Sequence, residues 1–391
     1  MNRNFLIILD KTIFKLIFYF FLLIVKFKSE KKGINYKSEL SELKNILVIR
    51  PGGAGDGLMS IPLLKALRKN FHRSKITLLC VKKSKAGLQL SNLYDELYAI
   101  DDLKNFSQNL RIISKKQFDV VFDLEQFRRI TSIITYSTGS KIRIGFDTNN
   151  RRLLYTHFIS YANEKHYESI NFVKQLEVFG IKVPYEEAID ITFPLPEKLL
   201  KEAKQKLNEN SINPNYQNVI AVFPGVLKAH HRWKMKEFAA LTDMIINEDQ
   251  NTKVLLMGTP ADVPDTQEVI KSLINKDKMT DFTGELSYKE ALAVLTFCKL
   301  LISCDGGAVY MGAAMGIGTI SLWGPGVMER FKPAGNSHIG VRKDYFCIPC
   351  VNYNRLGEFP QCPYNRRCLN DITAEEVFNK YIYLKKFLSK E

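Results

Sequence analysis

A single carboxylate, Asp56, lies inside a glycine-dense loop that directly follows an apolar run. The run spans residues 46–49, and glycines occupy positions 52, 53, 55 and 57. Such a run is typical of a buried strand in a parallel sheet, and glycines permit backbone conformations that other residues avoid. The combination predicts a ligand site that holds a base. An aspartate at this position is equally suited to capping the helix that the following residues predict.

This loop matches neither of the common phosphate-binding motifs. The dinucleotide fingerprint G-x-G-x-x-G fails because the sixth position counted from Gly53 is Leu58. A P-loop requires Lys and then Ser or Thr after Gly57, where the chain has Leu58 and Met59. A nicotinamide-dependent oxidoreductase is the alternative function for a chain with two Rossmann-like halves. The chain lacks the dinucleotide fingerprint that such an enzyme would carry.

A second loop combines Gly225 with several cationic side chains. Lys228, His230, His231 and Arg232 follow the apolar run 219–223 within a few residues. The planar guanidinium of Arg232 is suited to a phosphate group. A metal at the two histidines is not expected, because sequence neighbours rarely converge on one ion. This loop predicts an anion site.

A third loop, residues 303–308, places Asp305, Gly306 and Gly307 between an apolar run and a helix of small residues predicted over 309–316. Backbone N–H groups at the start of a helix bind phosphate readily. Asp305 can accept a hydrogen bond from a sugar hydroxyl, or it can cap the helix.

The elements that must position these loops alternate between short apolar runs and amphipathic segments. Apolar runs lie at residues 46–49, 76–79, 97–100 and 120–123, and again at 219–223, 253–257, 300–303 and 318–322. This alternation predicts two doubly wound α/β domains with parallel sheets. The two prolines of the segment 193–196 mark the boundary, so we expect domains at 45–195 and 196–391. Ligands bind at the carboxyl ends of the strands in such folds.

Residues 1–44 form a hydrophobic and basic leader. Its longest uninterrupted apolar run, residues 16–25, is shorter than the roughly 20 residues that span a bilayer. The lysines at 26, 28, 31 and 32 favour a cytoplasmic location for the domains that follow. We expect a helix that anchors at the membrane interface. Two alternatives for the leader remain: a tilted helix that spans the bilayer, and a helix packed on the body of the protein.

The formal net charge of +15 indicates an anionic partner. Nucleic acid is not expected, because the basic residues neither form a continuous tract nor belong to a known binding module. Seven cysteines, an odd number, fit a reducing compartment. Four of them have a spacing that permits zinc, although reduced structural thiols are the simpler interpretation: Cys347, Cys350, Cys362 and Cys368.

The motifs together resemble those of the metal-independent heptosyltransferases of glycosyltransferase family nine. The matching stretches, in the family's order, are residues 46–67, 120–146 with the ending Arg-Ile-Gly-Phe, 223–225 with 232–233, 282–284, 305–307, and 323–325 through to 371–373. The resemblance implies a GT-B fold, in which two Rossmann-like domains face a central cleft and the second domain holds the nucleotide sugar. It also implies an inverting transferase that needs no cofactor.

The resemblance assigns roles to particular residues of this chain. Asp56 matches the catalytic base, and Arg232 matches a cation at the diphosphate. The amides of Gly306 and Gly307 match the site that stabilises the leaving group, with Lys228 and Gly225 in the same donor site. Asp305 matches an acid near the transferred sugar, and Leu286 matches a residue of the adenine pocket.

Two positions depart from the family's pattern. Tyr310 stands where relatives usually have His, and Asp262 substitutes for a Glu closer to Gly258. The donor is therefore expected to be ADP-heptose or another nucleotide sugar, as in surface polysaccharide synthesis.

The expected acceptor is an anionic lipid-linked saccharide such as a lipopolysaccharide core, at the cytoplasmic face of the inner membrane. Its contacts are expected at Arg128, Arg129 and Arg143.

Overall fold

The computed structural model describes residues 12, 15–16, 18–20, 43–100, 103–161, 166–226, 228–350 and 361–389. These residues form two units that divide between Asp190 and Ile191, close to the predicted boundary. Each unit contains a six-stranded parallel sheet with helices between its strands. The prediction of two doubly wound α/β domains is confirmed.

The first unit has the strand order β3-β2-β1-β4-β5-β6. Its strands are β1 Asn45–Arg50, β2 Lys75–Val81, β3 Glu96–Ile100, β4 Val120–Asp123, β5 Ile142–Phe146 and β6 His157–Ile159. Its helices are α1 Ala54–Leu58, α2 Ile61–Asn70, α3 Lys82–Leu88, α4 Leu103–Lys115, α5 Arg129–Ser137, α6 Glu168–Val173 and α7 Tyr185–Ile189. Short 3₁₀ helices span Arg151–Leu154 and Lys174–Phe179.

The second unit has the strand order β12-β11-β10-β7-β8-β9. Its strands are β7 Asn218–Phe223, β8 Thr252–Leu256, β9 Met279–Asp281, β10 Leu300–Cys304, β11 Gly318–Trp323 and β12 His338–Arg342. Its helices are α8 Glu197–Glu209, α9 Met235–Glu248, α10 Val263–Ser272, α11 Tyr288–Leu295, α12 Gly307–Ala314, α13 Met328–Phe331, α14 Arg367–Asn370 and α15 Ala374–Leu388. Short 3₁₀ helices span Ala229–His231, Pro260–Asp262 and Lys276–Lys278.

Both sheets contain a switch point, where the strand order reverses. In the first sheet, β1 lies between β2 and β4, with Ile46 opposite both Ile76 and Val120. In the second sheet, β7 lies between β8 and β10, with Ile220 opposite Leu300. Ligands of doubly wound folds bind beside such points, at the carboxyl ends of the strands. The loops after β1 and β4, and those after β7 and β10, are therefore the places to look for a site.

Glycines bring α1 and α3 into direct backbone contact. A Cβ added at Gly57 would lie 2.8 Å from the carbonyl oxygen of Ser84, and one at Gly87 would lie 2.6 Å from that of Ala54. In addition, the Ser84 hydroxyl donates to the carbonyl oxygen of Gly52 at 2.8 Å. Since no side chain fits between the two helices, α3 fixes the position of the loop that carries Asp56.

The hydrophobic helix predicted within the leader lies mostly outside the described residues. At one described position, Phe18 is fully buried and packs with Ile133 and Leu154. Its neighbour Leu16 is 72% exposed. In the described ranges, no helix combines the length and the apolar character needed to cross a membrane.

Candidate active site

Asp56 lies at the carboxyl end of β1, in the first turn of α1. One carboxylate oxygen, Oδ1, accepts from Nη2 of Arg50 at 2.8 Å, and Oδ2 accepts from the backbone N–H of Gly53 at 2.6 Å. The second contact caps α1, as the capping alternative predicts. The side chain of Asp56 is nevertheless 38% exposed. Capping and access to a substrate therefore coexist at this residue.

Arg50 joins the two loops at the switch point of the first sheet. It is the last residue of β1 and is buried. Its Nε donates to the carbonyl oxygen of Asp56 at 3.1 Å, whereas its Nη1 donates to that of Leu124 at 3.2 Å and to Oε1 of Gln126 at 3.4 Å. The guanidinium also lies 4.7 Å from the ring centroid of Phe172. The loops after β1 and β4 are therefore held together by one cation.

A buried acid, Glu168, lies behind this arrangement. Its Oε1 accepts from Nε2 of Gln126 at 2.6 Å, and the Tyr161 hydroxyl lies 2.9 and 2.8 Å from its two oxygens. Burial raises the pKa of Glu168 to about 8, and the Arg50 guanidinium opposes that rise. Sequence reasoning missed Arg50, Gln126 and Glu168. An arginine at the end of an apolar strand was a usable signal for the first of these, whereas the other two have none.

A second buried cluster explains the Arg-Ile-Gly-Phe motif. Asp123, at the end of β4, accepts from Nη2 of Arg151 at 2.7 Å and from the Tyr155 hydroxyl at 2.7 Å. The ring of Tyr155 lies on Gly145, where an added Cβ would be 2.3 Å from Cζ. The motif therefore supports the loop after β4, and the glycine is required because an aromatic ring covers it.

The three arginines predicted to bind the acceptor all contact other groups of the protein. Nη1 of Arg128 lies 3.7 Å from Oε2 of Glu125, and the guanidinium of Arg129 lies 5.8 Å from the Phe18 ring centroid. Arg143 donates to the carbonyl oxygens of Leu154 and Ser140, at 3.0 and 2.5 Å. Their predicted role stays a prediction.

Three other cations lie on the helix that contacts the Asp56 loop. Lys82, Lys83 and Lys85 are exposed on α3, the helix in backbone contact with α1. Among the residues that the structure describes, none of the three forms an ion pair. Sequence reasoning missed them because a contact between α1 and α3 cannot be inferred from the spacing of lysines.

In the second unit, the loop after β7 makes one side-chain contact with the loop after β10 and another with the first turn of α10, which follows β8. Nδ1 of His231 lies 2.9 Å from Oδ2 of Asp305, and both side chains are largely buried. Nη1 of Arg232 lies 3.0 Å from Oδ1 of Asp265, and 38% of the Arg232 side chain is exposed. Arg232 thus remains accessible to a ligand, whereas His231 is enclosed against Asp305.

Asp262 supports the loop after β8 through its side-chain carboxylate. Its Oδ2 accepts from the N–H and the hydroxyl of Thr259, at 2.8 and 2.6 Å. A Cβ added at Gly225 would lie 2.3 Å from Cγ of Asp262. Gly225 is therefore needed for the close approach of this carboxylate. Leu286 is half-buried just before α11, and Lys228 is half-buried in the loop after β7.

Gly306 and Gly307 form the start of α12, which begins earlier than the predicted residue 309. The backbone of Gly306 is extended, and a Cβ added at Gly307 would meet nothing within 4 Å. The open space lies where the N–H groups and the positive end of the helix dipole favour an anion. Tyr310 donates from its hydroxyl to the carbonyl oxygen of Phe331 at 2.6 Å.

The four C-terminal cysteines are the candidate zinc ligands named from the sequence. Over the described ranges, no group of three or more His, Cys, Asp or Glu side chains is placed to hold an ion. Burial raises the pKa of the Cys368 thiol to about 11, and the neighbouring thiols of Cys350, Cys362 and Cys347 add to the rise. The zinc alternative gains no support from these positions.

Comparison with known proteins decides the family. The model of glycosyltransferase family 9 (heptosyltransferase) matches residues 107–358, well over half of the chain. The chain belongs to this family. It is therefore a glycosyltransferase, and the oxidoreductase alternative is wrong. The matched residues include Arg232 and Asp305 but begin after Asp56, so the role of Asp56 stays a prediction.

Relatives of this glycosyltransferase are distant but extend over most of its length. Lipopolysaccharide heptosyltransferase 3 of Escherichia coli is 21% identical over 300 residues, which cover 73% of this chain and 85% of the relative. The glycosyl transferase family 9 structure from Veillonella parvula superposes with a TM-score of 0.74 at 20% identity, covering 90% of this chain and 99% of the other. ADP-heptose LPS heptosyltransferase II of Escherichia coli gives 0.69 at 18% identity, covering 87% and 98%. These similarities establish the shared fold.

Proposed function

We propose that this glycosyltransferase inverts the configuration of a heptose or related sugar as it moves the sugar from a nucleotide diphosphate to an anionic lipid-linked saccharide. The observation that carries the proposal is the Asp56 carboxylate, held in a fixed orientation at the carboxyl end of β1 while 38% of the side chain stays exposed. A fixed, accessible carboxylate meets the geometric requirement for a general base.

In the proposed reaction, Asp56 takes the proton of an acceptor hydroxyl as that oxygen attacks the anomeric carbon. The new carbon–oxygen bond forms on the face opposite the diphosphate, and the bond to the diphosphate oxygen breaks. The electron pair of the broken bond leaves with the nucleotide diphosphate. One displacement of this kind inverts the anomeric configuration.

The donor is assigned to the switch point of the second sheet. Arg232 supplies an accessible guanidinium, and the start of α12 supplies N–H groups beside open space at Gly307. Both stabilise negative charge that grows on the leaving diphosphate, so the protein itself supplies the charge stabilisation that a metal ion would otherwise provide. The arrangement of the two units about a central cleft stays a prediction.

The acceptor is assigned to the first unit and is expected to be anionic. The exposed lysines of α3 lie on the helix that contacts the Asp56 loop. The named relatives are lipopolysaccharide or lipooligosaccharide heptosyltransferases, which favours a lipopolysaccharide core as the acceptor. Such a substrate implies work at the cytoplasmic face of the inner membrane, with residues 1–44 as the attachment.

A non-heptose donor is the second candidate, and one observation favours it. Tyr310, at the position where relatives usually have His, directs its hydroxyl to the carbonyl oxygen of Phe331. A side chain engaged in this way offers the sugar a different contact from that of an imidazole. The donor panel below therefore includes non-heptose sugars.

The decisive experiment incubates the purified full-length protein with ADP-heptose and a panel of other nucleotide sugars. Each donor is tested with and without a lipid–saccharide extract, and released nucleoside diphosphate is measured. We expect acceptor-dependent release with one donor and inverted stereochemistry in the product. Absence of acceptor-dependent release with every donor would overturn the proposal.

A further inference from the structure

The buried acid Glu168 is coupled to Asp56 through two intermediate side chains. Gln126 donates to Glu168 through Nε2 and accepts from Arg50 through Oε1. Arg50 in turn donates to both a side-chain and a backbone oxygen of Asp56. The four residues form one continuous path of hydrogen bonds, from a fully buried acid to an exposed carboxylate.

The orientation of the Gln126 amide is fixed by the two residues it joins. Its Nε2 requires an acceptor and its Oε1 requires a donor, and Glu168 and Arg50 supply them on opposite sides. The backbone carbonyl oxygen of Gln126 accepts from the Thr148 hydroxyl, which helps to hold the residue in place. Gln126 therefore transmits the position of Glu168 to the guanidinium.

Among the described residues, Arg50 is a cation that acts on Glu168 and opposes the effect of burial on its pKa. The titratable groups that face Glu168 from the surrounding elements are Asp56 on α1, Tyr161 after β6 and Tyr167 before α6. While Glu168 is neutral, Oε1 still accepts from Nε2 of Gln126 and from the Tyr161 hydroxyl. The whole charge of Arg50 then remains with Asp56.

We propose that Glu168 is a positioning residue whose neutral form keeps Arg50 directed at Asp56 and thereby holds the base in its working orientation. The inference rests on the proposed role of Asp56 as the base. If Glu168 loses its proton, a second carboxylate attracts the same guanidinium inside a buried cluster, where electrostatic interactions are strong. Arg50 is then shared between the two carboxylates, and Asp56 is held less firmly. Misplacing a catalytic group by about 1 Å can lower the rate by about 10²-fold.

The burial of Glu168 sets the pH range over which loss of its proton should affect the transfer rate. Because burial raises its pKa to about 8, Glu168 is neutral at pH 7 and becomes ionised above pH 8. The transfer rate should therefore fall as pH rises through that range. We expect the fall in kcat and not in the donor KM, since the donor site is assigned to the other unit.

The test measures kcat and both KM values between pH 6.5 and 9.5 for the wild type, Glu168→Gln and Arg50→Lys, with each protein normalised to its own rate at pH 7. We expect the wild-type kcat to fall above pH 8, by up to about tenfold per pH unit for loss of one required proton. Glu168→Gln should lack this fall because an amide cannot ionise. Arg50→Lys should have a lower kcat and an unchanged donor KM, because an ammonium group cannot reach Gln126 and Asp56 together.

A matched control is Glu187→Gln, which removes an exposed carboxylate of the same unit that pairs with Lys69. Its profile should follow that of the wild type. An active Glu168→Gln enzyme whose rate falls above pH 8 as the wild type's does would overturn the inference. Failure of the proposed function would look different, because the wild type itself would then release no diphosphate at any pH. If Glu168→Gln does not fold, an Arg50→Lys profile and kcat identical to those of the wild type would also overturn it.

Discussion

Nη2 of Arg50 lies 2.8 Å from Oδ1 of Asp56, and Nε of the same guanidinium donates to the Asp56 carbonyl oxygen. The last residue of the first strand thus holds the side chain and the backbone of the proposed base at once. Removing the carboxylate from this pair is costly, since the buried Arg50 would be left with an unpaired charge. The orientation of Asp56 is therefore a property of the strand as well as of the glycine loop.

Asp56→Asn should strongly lower the transfer rate while leaving donor binding intact. An amide keeps the size of the side chain and its oxygen can still accept one of the two hydrogen bonds, from Arg50 or from the Gly53 N–H, but it cannot take the acceptor proton. We expect kcat to fall by about 10²- to 10⁴-fold, the usual contribution of a general base. Calorimetric titration with the nucleoside diphosphate should give an unchanged Kd.

The control for this substitution is Asp95→Asn, which neutralises a more exposed aspartate of the same unit paired with Arg68. Surface pairs of this kind contribute little to stability, so the variant should retain activity. Retention of wild-type turnover by Asp56→Asn would remove Asp56 from the role of base.

The sequence predicted the frame of both sites because buried parallel strands are nearly continuous apolar runs. The runs 46–49 and 219–223 lie within β1 and β7, and their loops lie at the two switch points. Asp56, Arg232 and Gly307 were found in this way. The path from Glu168 to Asp56 could not be found in this way, because it joins residues that are far apart in the chain and become neighbours only when the sheet forms.

The acceptor cations illustrate the same limit. Arg143 was predicted to contact the acceptor, but its guanidinium donates to backbone carbonyls, and no sequence pattern shows which cations find a partner inside the protein.

Replacing two glycines of α12 by alanine should affect two different properties, donor binding at Gly307 and stability at Gly312. Gly307→Ala should leave the melting temperature unchanged, because the new methyl group meets nothing within 4 Å. The methyl group would project into the proposed diphosphate space, so the donor KM should rise about tenfold, equivalent to about 1.4 kcal/mol. Gly312→Ala should instead lower the stability by about 1–3 kcal/mol, because its Cβ would lie 2.9 Å from Cγ2 of Thr319. Thermal unfolding and donor titration of both variants check this. A normal donor KM in Gly307→Ala would argue against diphosphate binding at this helix.

Replacing Lys82, Lys83 and Lys85 together by Gln should weaken acceptor binding selectively. With about 0.5 kcal/mol for each exposed charge contact, the acceptor KM should rise about tenfold at low salt. The difference should shrink as salt is added, because exposed charges are screened. Donor KM should not change. The measurement uses the lipid–saccharide extract before and after chemical dephosphorylation.

The matched control is a triple variant of α8 that removes the same charge from the other unit: Lys198, Lys201 and Lys204 to Gln. It should leave the acceptor KM unchanged. An equal effect of both triple variants would show that net charge, and not the lysines beside Asp56, determines acceptor affinity.

Glu168 should make the stability of the protein decrease with pH, and this can be measured without any substrate. The folded state raises the pKa of Glu168 from its ordinary value to about 8, so the folded protein retains a proton that the unfolded chain releases. The resulting stabilisation is fully present below the unfolded pKa of about 4.5 and is lost as pH rises to the folded value. Between these limits, the free energy of unfolding of the wild type should fall relative to that of Glu168→Gln by up to about 1.4 kcal/mol per pH unit.

Urea unfolding of both proteins from pH 5 to pH 9 measures the difference. Because the two proteins differ at one residue, the contributions of the other titrating groups to the free energy of unfolding cancel. A constant difference across that range would mean that Glu168 is already ionised in the folded protein. Arg50 would then be shared between two carboxylates at neutral pH, and the control of Asp56 by a neutral acid would be lost.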